Sequence, residues 1–237
     1  MATNSNDIAS MFNNIAPRYD KLNHILSLNV DKSWRRKAVR HLKKTVCDID
    51  NPKILDMACG TADSSVQIAK NIVNAEVYGV DISDGMLAIG KDKVERLALD
   101  NRINFRNLYA ENIDFQNDTF DAAMVAFGVR NFSDRKKGLM EILRVLKPNG
   151  TLLVLELSEP QNVMLRWLYN LYFKNIMPFI GKIISGNVTA YRYLQQTVEN
   201  FPMPKEFMAI LNDCGYKELK HKALTFGLCR IYQAKKL

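Results

Sequence analysis

The sequence contains no apolar run approaching about 20 residues, the length that a helix needs to span a bilayer, so we expect no transmembrane helix. The polar start of the chain, residues 1–7, lacks the apolar segment of a signal peptide. Histidine and cysteine are scarce: there are three His and four Cys, and no two cysteines have C-x-x-C spacing. We therefore expect no metal site and a cytoplasmic protein whose thiols are reduced.

A dinucleotide fingerprint, G-x-G-x-x-G, is also absent, and only Gly60 stands at one of its three positions. What the chain has instead is the stretch Lys53–Asp63, K-I-L-D-M-A-C-G-T-A-D. A short apolar strand ends near Asp56, small residues alternate through a turn, and a helix of about 62–73 follows. Small side chains at such a turn let the backbone pass close to a ligand.

The next predicted strand, 76–80, ends in Asp81. An acid at the end of the second strand of a βαβ unit is where ribose hydroxyls are bound. The small-residue turn and Asp81 together predict a site for a nucleoside-bearing cofactor. Asp56 would repel a pyrophosphate but suits a cationic or amino-bearing ligand such as S-adenosylmethionine, which has both a sulfonium and an amine. An ordinary strand–turn–helix remains the alternative.

Helix-period and strand-period segments alternate after residue 50, which predicts an α/β fold: a doubly wound, mostly parallel, seven-stranded sheet. Gly227 joins the last two strands as a hairpin, so the terminal strand should run antiparallel. The predicted strands are Lys53–Met57, Glu76–Val80, Ile103–Asn107, Phe120–Ala126, Thr151–Leu157, Tyr216–Lys222 and Cys229–Lys235. The predicted helices between and after them span about 62–73, 84–99, 134–146 and 204–213, with Asp84 as a cap and a turn at 147–150.

We expect one domain over 1–237, with a helical cap at 1–46 that folds back over the cofactor mouth. Its helices are predicted at 7–15, 19–28 and 31–46, with Pro17 breaking the first from the second and Asp31 capping the third. In the third, the apolar stripe Trp34, Ala38, Leu42, Val46 lies roughly opposite the basic residues Lys32, Arg36, Arg40 and Lys43.

The net charge of the chain is +8. The basic outer face of the third helix could contact anionic phospholipid head groups. The remaining positive charge is spread along the sequence and is equally typical of a lysine-rich surface.

Residues 159–200 interrupt the alternation and contain the most apolar stretch, 164–184. Two interpretations stay open: a helical pair packed on the domain, or an inserted helical lid over a large apolar substrate.

Four motifs in order resemble the ubiquinone/menaquinone biosynthesis C-methyltransferases, within the class I S-adenosylmethionine-dependent methyltransferases. The resemblance covers about residues 11–235. The motifs are Tyr19-Asp20-Lys21-Leu22-Asn23 with Ser27 and Trp34; Phe127-Gly128-Val129-Arg130-Asn131; Arg144–Gly150 running on to Glu156 and Ser158; and Gly186, Ala190-Tyr191 and Tyr193-Leu194.

This sequence departs from the family pattern at several positions. Ala62 replaces a usual Gly, which we expect to narrow the space near the methionine moiety. Tyr109 precedes Ala110 where the family has Asp or Asn, so the side-chain contact to adenine is in doubt. The remaining departures are Leu22, Asp31, Ala126 and Asn149.

The resemblance implies methyl transfer from S-adenosylmethionine to a ring carbon of a polyprenyl quinol, with demethylmenaquinol favoured over a ubiquinone precursor. On this view Asp81 binds the ribose, Gly60 and Thr61 line the methionine end, and Asp56 favours the amine. The adenine would be bordered by Ile82, Met86, Tyr109 and Ala110. Arg130 would stabilise an oxyanion or hold a proton-accepting water, unless it forms a structural salt bridge to an acid such as Asp20 or Asp134. Asn131, Tyr191 and Tyr19 would position the quinol.

Four other functions are alternatives to quinol methylation. A nicotinamide oxidoreductase is disfavoured by the missing fingerprint and by the antiparallel hairpin. A methyltransferase acting on RNA or protein lacks the N-P-P-Y-like tetrapeptide, and an RNA-binding protein lacks basic and aromatic residues interleaved along a strand, so we expect no nucleic acid. A methyltransferase for another apolar small molecule stays open.

Overall fold

The computed structural model describes residues 5–171 and 188–237. Seven strands form one sheet in the order β3-β2-β1-β4-β5-β7-β6. The strands are β1 Lys53–Met57, β2 Glu76–Asp81, β3 Ile103–Asn107, β4 Phe120–Ala126, β5 Leu146–Leu157, β6 Lys217–Leu224 and β7 Cys229–Lys235. The α-helices in the described ranges are α1 Ser5–Leu26, α2 Val30–Thr45, α3 Asp63–Asn71, α4 Asp84–Arg96, α5 Arg135–Val145, α6 Val163–Leu171, α7 Val188–Glu199 and α8 Pro204–Asp213. Short 3₁₀ turns lie at Val129–Asn131 and Thr225–Gly227.

The predicted sheet is confirmed. Strands β1 to β5 pair in parallel, and β7 runs antiparallel to both β5 and β6. Most residues of the central strands β1 and β4 are buried, because helices cover both faces of the sheet. The strand order reverses next to β1, so the carboxyl ends of β1 and β4 border the crevice where ligands bind in such sheets.

The two faces of the sheet carry separate apolar cores. On one face Trp34 and Leu42 of α2 pack with Ile68 of α3. On the other face Leu139 of α5 packs with Phe207 of α8. The apolar stripe predicted on α2 is therefore buried, and the basic residues opposite it are exposed.

The helix boundaries at the start of the chain differ from those predicted. Pro17 does not break the first helix: α1 runs from Ser5 to Leu26. A proline removes one backbone hydrogen bond, and here both Pro17 and Asn13, whose carbonyl would accept that bond, are exposed, so water can replace it. Asp31 does not cap α2, because it lies inside the helix, buried, while Asn29 is the N-cap residue.

Two other local predictions are corrected. The cap of α4 is Ser83, whose hydroxyl accepts from the Met86 N–H at 3.1 Å, and not Asp84. The predicted turn at 147–150 belongs to β5, which begins at Leu146, although Asn149 does adopt a left-handed φ of 64°. Helix α5 can end directly in a strand because Leu146 pairs with Phe120 across a register shift.

No helix within 5–171 and 188–237 is both long enough and apolar enough to cross a bilayer. The predicted apolar segment 164–184 enters α6 and continues into 172–187, which lie outside the described residues, as does Gly186.

Candidate active site

The turn after β1 is built from alternating left-handed residues. Ala58, Gly60 and Ala62 have φ angles of 56°, 56° and 69°. Gly128, after β4, approaches this turn so closely that an added Cβ would lie 2.5 Å from the Ala58 Cβ. The small residues therefore bring two backbone segments together under a crevice at the carboxyl edge of the sheet.

Asp81 connects this turn to the end of β2. Its Oδ2 accepts from the Gly60 N–H at 2.8 Å, and its Oδ1 accepts from the Ser83 N–H at 2.9 Å. Burial raises the pKa of Asp81, and the two backbone donors act against that rise. The carboxylate is thus held in one orientation beside the crevice, with lone pairs left to accept from ligand hydroxyls.

A cavity of about 70 Å³ occupies the crevice. The predicted cofactor residues Gly60, Asp81, Ile82, Met86, Tyr109 and Ala110 are together on its wall. Sequence reasoning missed several residues that complete the wall, including Ile8 and Phe12 of α1, Leu108, Phe127 and Phe132. The α1 residues carry an apolar signal at helical spacing that could have indicated a lid over a ligand.

Two predicted cofactor residues lie outside the wall that the described residues form. Thr61 is buried and its hydroxyl donates to Asp20 Oδ1 of α1 at 2.5 Å. Asp56 is fully buried and accepts from the Ser65 hydroxyl at 2.5 Å. Ala62 is also buried, and its methyl group faces Gly90 of α4, so it does not narrow the cavity as expected.

Asp56 has an unusual electrostatic position. Burial raises the pKa of Asp56, whereas the hydrogen bond from Ser65 and the charge of Arg35 lower it. Burial has the larger effect, so the pKa is about 7. Its Oδ1 has no hydrogen-bond partner among the described residues. A buried carboxyl of this kind gains from a nearby cation, which fits the expected cationic ligand.

Polar contacts fix α1 over the cavity. Lys93 of α4 donates to Asp20 of α1 at 2.8 Å and to Asp63 of α3 at 2.7 Å. Further along α1, Asn13 Oδ1 accepts from the Gly85 N–H at 2.9 Å. Helix α1 therefore lies beside the crevice, with Ile8 and Phe12 on its wall.

Arg130 lies on the 3₁₀ turn after β4. Its Nη1 donates to Glu156 Oε1 at 2.5 Å and to the Phe127 carbonyl at 2.6 Å. Glu156, on β5, is fully buried and was not predicted as the partner, and the alternatives Asp20 and Asp134 have other contacts. This pairing orients the guanidinium, while its Nε is buried without a partner in the described part of the chain.

A second cavity, of about 440 Å³, adjoins the first. It is lined mostly by apolar side chains, and Arg130 is on its wall together with Leu165 and Tyr169 of α6 and Leu194 of α7. Tyr19 and Phe127 line both cavities and so form the boundary between them. Burial raises the pKa of Tyr19, with the charge of Arg130 acting against it, so the phenol is neutral at pH 7.

The other two predicted catalytic residues, Asn131 and Tyr191, are not among the residues that line the apolar cavity in the described part of the chain. Asn131 lies on the wall of the first cavity, and its Oδ1 is buried without a partner among the residues that the structure describes. Tyr191 lies in α7, but its side chain is outside the described part of the structure. These assignments stay predictions.

The sheet order and the crevice with Asp81 at its edge define the fold of class I S-adenosylmethionine-dependent methyltransferases. The chain belongs to the ubiE/COQ5 methyltransferase family, whose model matches residues 1–236. It is 39% identical over 232 residues to a demethylmenaquinone methyltransferase of Bacteroides fragilis, covering 98% of this chain and 93% of that protein. It is 41% identical to a ubiquinone/menaquinone biosynthesis C-methyltransferase, UbiE, of Geobacter sulfurreducens, covering 97% and 88%.

Solved structures resemble the chain in fold. The cyclase SpnF superposes with a TM-score of 0.70 at 16% identity, covering 97% of this chain and 95% of that one. A S-adenosylmethionine-dependent methyltransferase of Thermotoga maritima, described as a possible histamine N-methyltransferase, gives a TM-score of 0.65 at 16% identity, covering 96% and 99%. Because such different reactions share the fold, it does not identify the substrate.

Proposed function

We propose that this protein transfers a methyl group from S-adenosylmethionine to a ring carbon of a polyprenyl quinol, and that demethylmenaquinol is the acceptor. One observation carries the proposal: the crevice that contains Asp81 meets an apolar cavity of about 440 Å³ at Tyr19 and Phe127, and Arg130 lines that second cavity. Relatives of nearly the same length carry names that match this reaction.

The residues of the crevice fit the cofactor. The two backbone-held oxygens of Asp81 would accept from the ribose hydroxyls, and Ile82 and Met86 would pack against the adenine. The backbone at Tyr109 and Ala110 would border the base, while the unpartnered Oδ1 of Asn131 offers an acceptor to a bound donor. Buried Asp56 would favour a positive charge through its field, without contact.

When bound, S-adenosylmethionine would supply an electrophilic methyl group that replaces one ring hydrogen of the quinol, and the products would be the methylated quinol, S-adenosylhomocysteine and one proton. The chain's task is orientation and charge stabilisation. Arg130 would stabilise the phenolate that makes the ring carbon nucleophilic. Glu156 keeps that guanidinium at the wall of the cavity.

The remaining parts of the molecule have supporting roles in this proposal. Tyr19, at the boundary of the two cavities, and Tyr191 would hold the quinol ring, and the polyprenyl tail would lie along the apolar wall. The predicted lid, residues 159–200, is described only at its two ends, where Leu165 and Tyr169 of α6 and Leu194 of α7 would close over the substrate of a single-domain enzyme. The basic face of α2 would keep the protein at an anionic membrane surface.

The test is a methyl-transfer assay with purified protein and S-adenosylmethionine carrying a labelled methyl group. Reduced demethylmenaquinone and the demethylated ubiquinone precursor are offered in parallel. We expect label in the menaquinol. Label in the ubiquinone precursor alone would reassign the pathway, and label in neither, with the cofactor still bound, would refute a quinol acceptor and return the search to other apolar molecules.

A further inference from the structure

Two turns at the rim of the apolar cavity hold large apolar side chains in solvent. Leu28, between α1 and α2, is 76% exposed, and Phe226, between β6 and β7, is 79% exposed. Both line the same cavity, although almost the whole chain separates them in sequence. Single exposed apolar residues are ordinary, but two at one opening call for a reason.

The backbone of both turns is strained. Leu28 and Asn29 have φ angles of 51° and 60°, and Thr225 and Phe226 have φ angles of 44° and 56°. Left-handed backbone is costly for residues such as Leu and Phe, whereas Gly or Asn adopts it readily. Each turn thus has a bulky apolar residue in a backbone conformation that is unfavourable for it, and the exposed side chain gains no stability from burial in the core.

Hydrogen bonds hold the backbone of both turns. The Asn29 N–H donates to the His24 carbonyl at 2.7 Å, and the Leu228 N–H donates to the Thr225 carbonyl at 3.1 Å. Trp34 Nε1 donates to Thr225 Oγ1 at 2.7 Å, which ties the start of α2 to the hairpin. These bonds define the backbone path of both turns, on which the side chains of Leu28 and Phe226 are exposed.

Exposed cations flank both turns. Lys32 and Arg36 follow Leu28 by four and eight residues on the exposed face of α2, and Lys222 precedes Phe226 by four residues on β6. Apolar side chains beside exposed basic residues are the pattern of proteins that lie on an anionic bilayer.

We propose that Leu28 and Phe226 insert into an anionic bilayer and hold the opening of the apolar cavity against the lipid. An apolar acceptor then passes from the bilayer to Arg130 without crossing water. The identity of that acceptor rests on the function proposed above, whereas the lipid contact rests on the two turns and the charges beside them.

The experiment measures binding of the full chain to vesicles by co-sedimentation, with phosphatidylglycerol mixed into phosphatidylcholine and with phosphatidylcholine alone. The main variant combines Leu28→Asn with Phe226→Asn. Asparagine tolerates the left-handed backbone, so we expect an unchanged or higher Tm together with a loss of binding of roughly tenfold or more. The control is Val73→Asn. Val73 is 72% exposed and lies between α3 and the amino end of β2, whereas the crevice lies at the carboxyl ends of the strands.

A second variant, Lys32→Glu with Arg36→Glu, tests the charges. We expect about a tenfold loss on anionic vesicles, a weaker dependence on salt and little change on neutral vesicles. Lys70→Glu with Lys91→Glu makes the same charge change at exposed sites on α3 and α4 and should bind almost as the wild type does.

Unchanged binding of the Leu28→Asn/Phe226→Asn variant, or a wild-type chain that does not bind vesicles, would overturn the proposal. Methyl transfer to a short-chain quinol in detergent, without vesicles, separates it from the proposed function. A protein that binds vesicles through these turns but methylates no quinol keeps the membrane surface and loses the function. A protein that methylates quinol but does not bind vesicles supports the proposed function and refutes the membrane contact.

Discussion

Asp56 shows how one buried carboxyl can couple stability to the charge of a ligand. Its pKa in the folded chain is about 7, against roughly 3.9 when exposed. Between these values the folded state holds a proton that the unfolded state has released, so stability falls as pH rises from about 4 through 7. A cation bound near Asp56 would reverse part of that loss by favouring the carboxylate.

We therefore expect Asp56→Asn to raise the Tm at pH 8 and to leave it nearly unchanged at pH 4.5. The three-unit pKa shift corresponds to at most about 4 kcal/mol at pH 8. The same variant should bind S-adenosylmethionine more weakly at pH 8, because it has no charge to offer. Melting curves and calorimetric titration at both pH values check this, and a Tm that falls equally at both would contradict the assignment.

Arg130 has more donors than its two contacts use. Its Nη1 alone donates to both Glu156 and the Phe127 carbonyl, so the other guanidinium nitrogens stay available for the cavity, whereas a lysine that made the same two contacts would have no second nitrogen to offer. For Arg130→Lys we expect an unchanged affinity for S-adenosylmethionine and a kcat reduced by roughly a hundredfold, as for loss of one oxyanion donor.

The matched control is Arg135→Lys, since Arg135 lies on α5 over the ring of Phe201 and does not line the apolar cavity. Steady-state kinetics with demethylmenaquinol separate the two variants. If Arg130→Lys keeps the wild-type kcat, Arg130 is a structural partner of Glu156 and not a catalytic group.

At the scale of elements, α1 decides access to the crevice. Ligand cavities commonly measure about 300–1,000 Å³, and the crevice that Ile8 and Phe12 of α1 help to enclose measures about 70 Å³. Binding of S-adenosylmethionine should therefore require α1 to shift. The contact between Lys93 of α4 and Asp20 of α1 resists that movement, and Asp63 of α3 helps to hold Lys93 in place.

We expect Lys93→Met to loosen α1. Two half-buried carboxylates lose their cation, which costs roughly 1–2 kcal/mol locally and raises the open population about tenfold. Limited proteolysis within α1 should accelerate accordingly, and bound S-adenosylmethionine should slow it again. Lys91→Met, at an exposed site on the same helix, is the control, and equal cleavage of both variants would argue against the role of Lys93.

The same elements show what local sequence could predict. The bounds of β1, β3, β4 and β7 were predicted to the residue, because apolar runs and flanking turn residues are local signals. The predictions that Pro17 ends a helix and that Asp31 caps one were wrong, because the effect of each residue depends on which side of the helix faces the protein. Thr61 and Arg130 found partners, Asp20 and Glu156, that lie 41 and 26 residues away. Such pairs depend on packing and strand register, which no local pattern contains.

At the scale of the whole molecule, the crevice and the sheet form one unit, because the wall draws on α1, β2, β4 and the loop after β3. Six of the eight cofactor residues chosen from the sequence share that wall, since they follow strand ends that the parallel order brings to one edge. The apolar cavity was less accessible to sequence reasoning, because its wall joins residues from Tyr19 to Leu228.

Because the crevice joins so many elements, its ligand should stabilise the whole fold. At a concentration one hundred times its Kd, a ligand that binds only the folded state adds about 2.7 kcal/mol. For a chain of 237 residues this corresponds to a rise in Tm of roughly 5–10 °C. We expect this rise with S-adenosylmethionine, measured by calorimetry, and none with NADH. Asp81→Asn should abolish most of it, because an amide at that position cannot accept from the Gly60 and Ser83 N–H groups and from ribose at once. A rise with NADH instead would favour the oxidoreductase alternative.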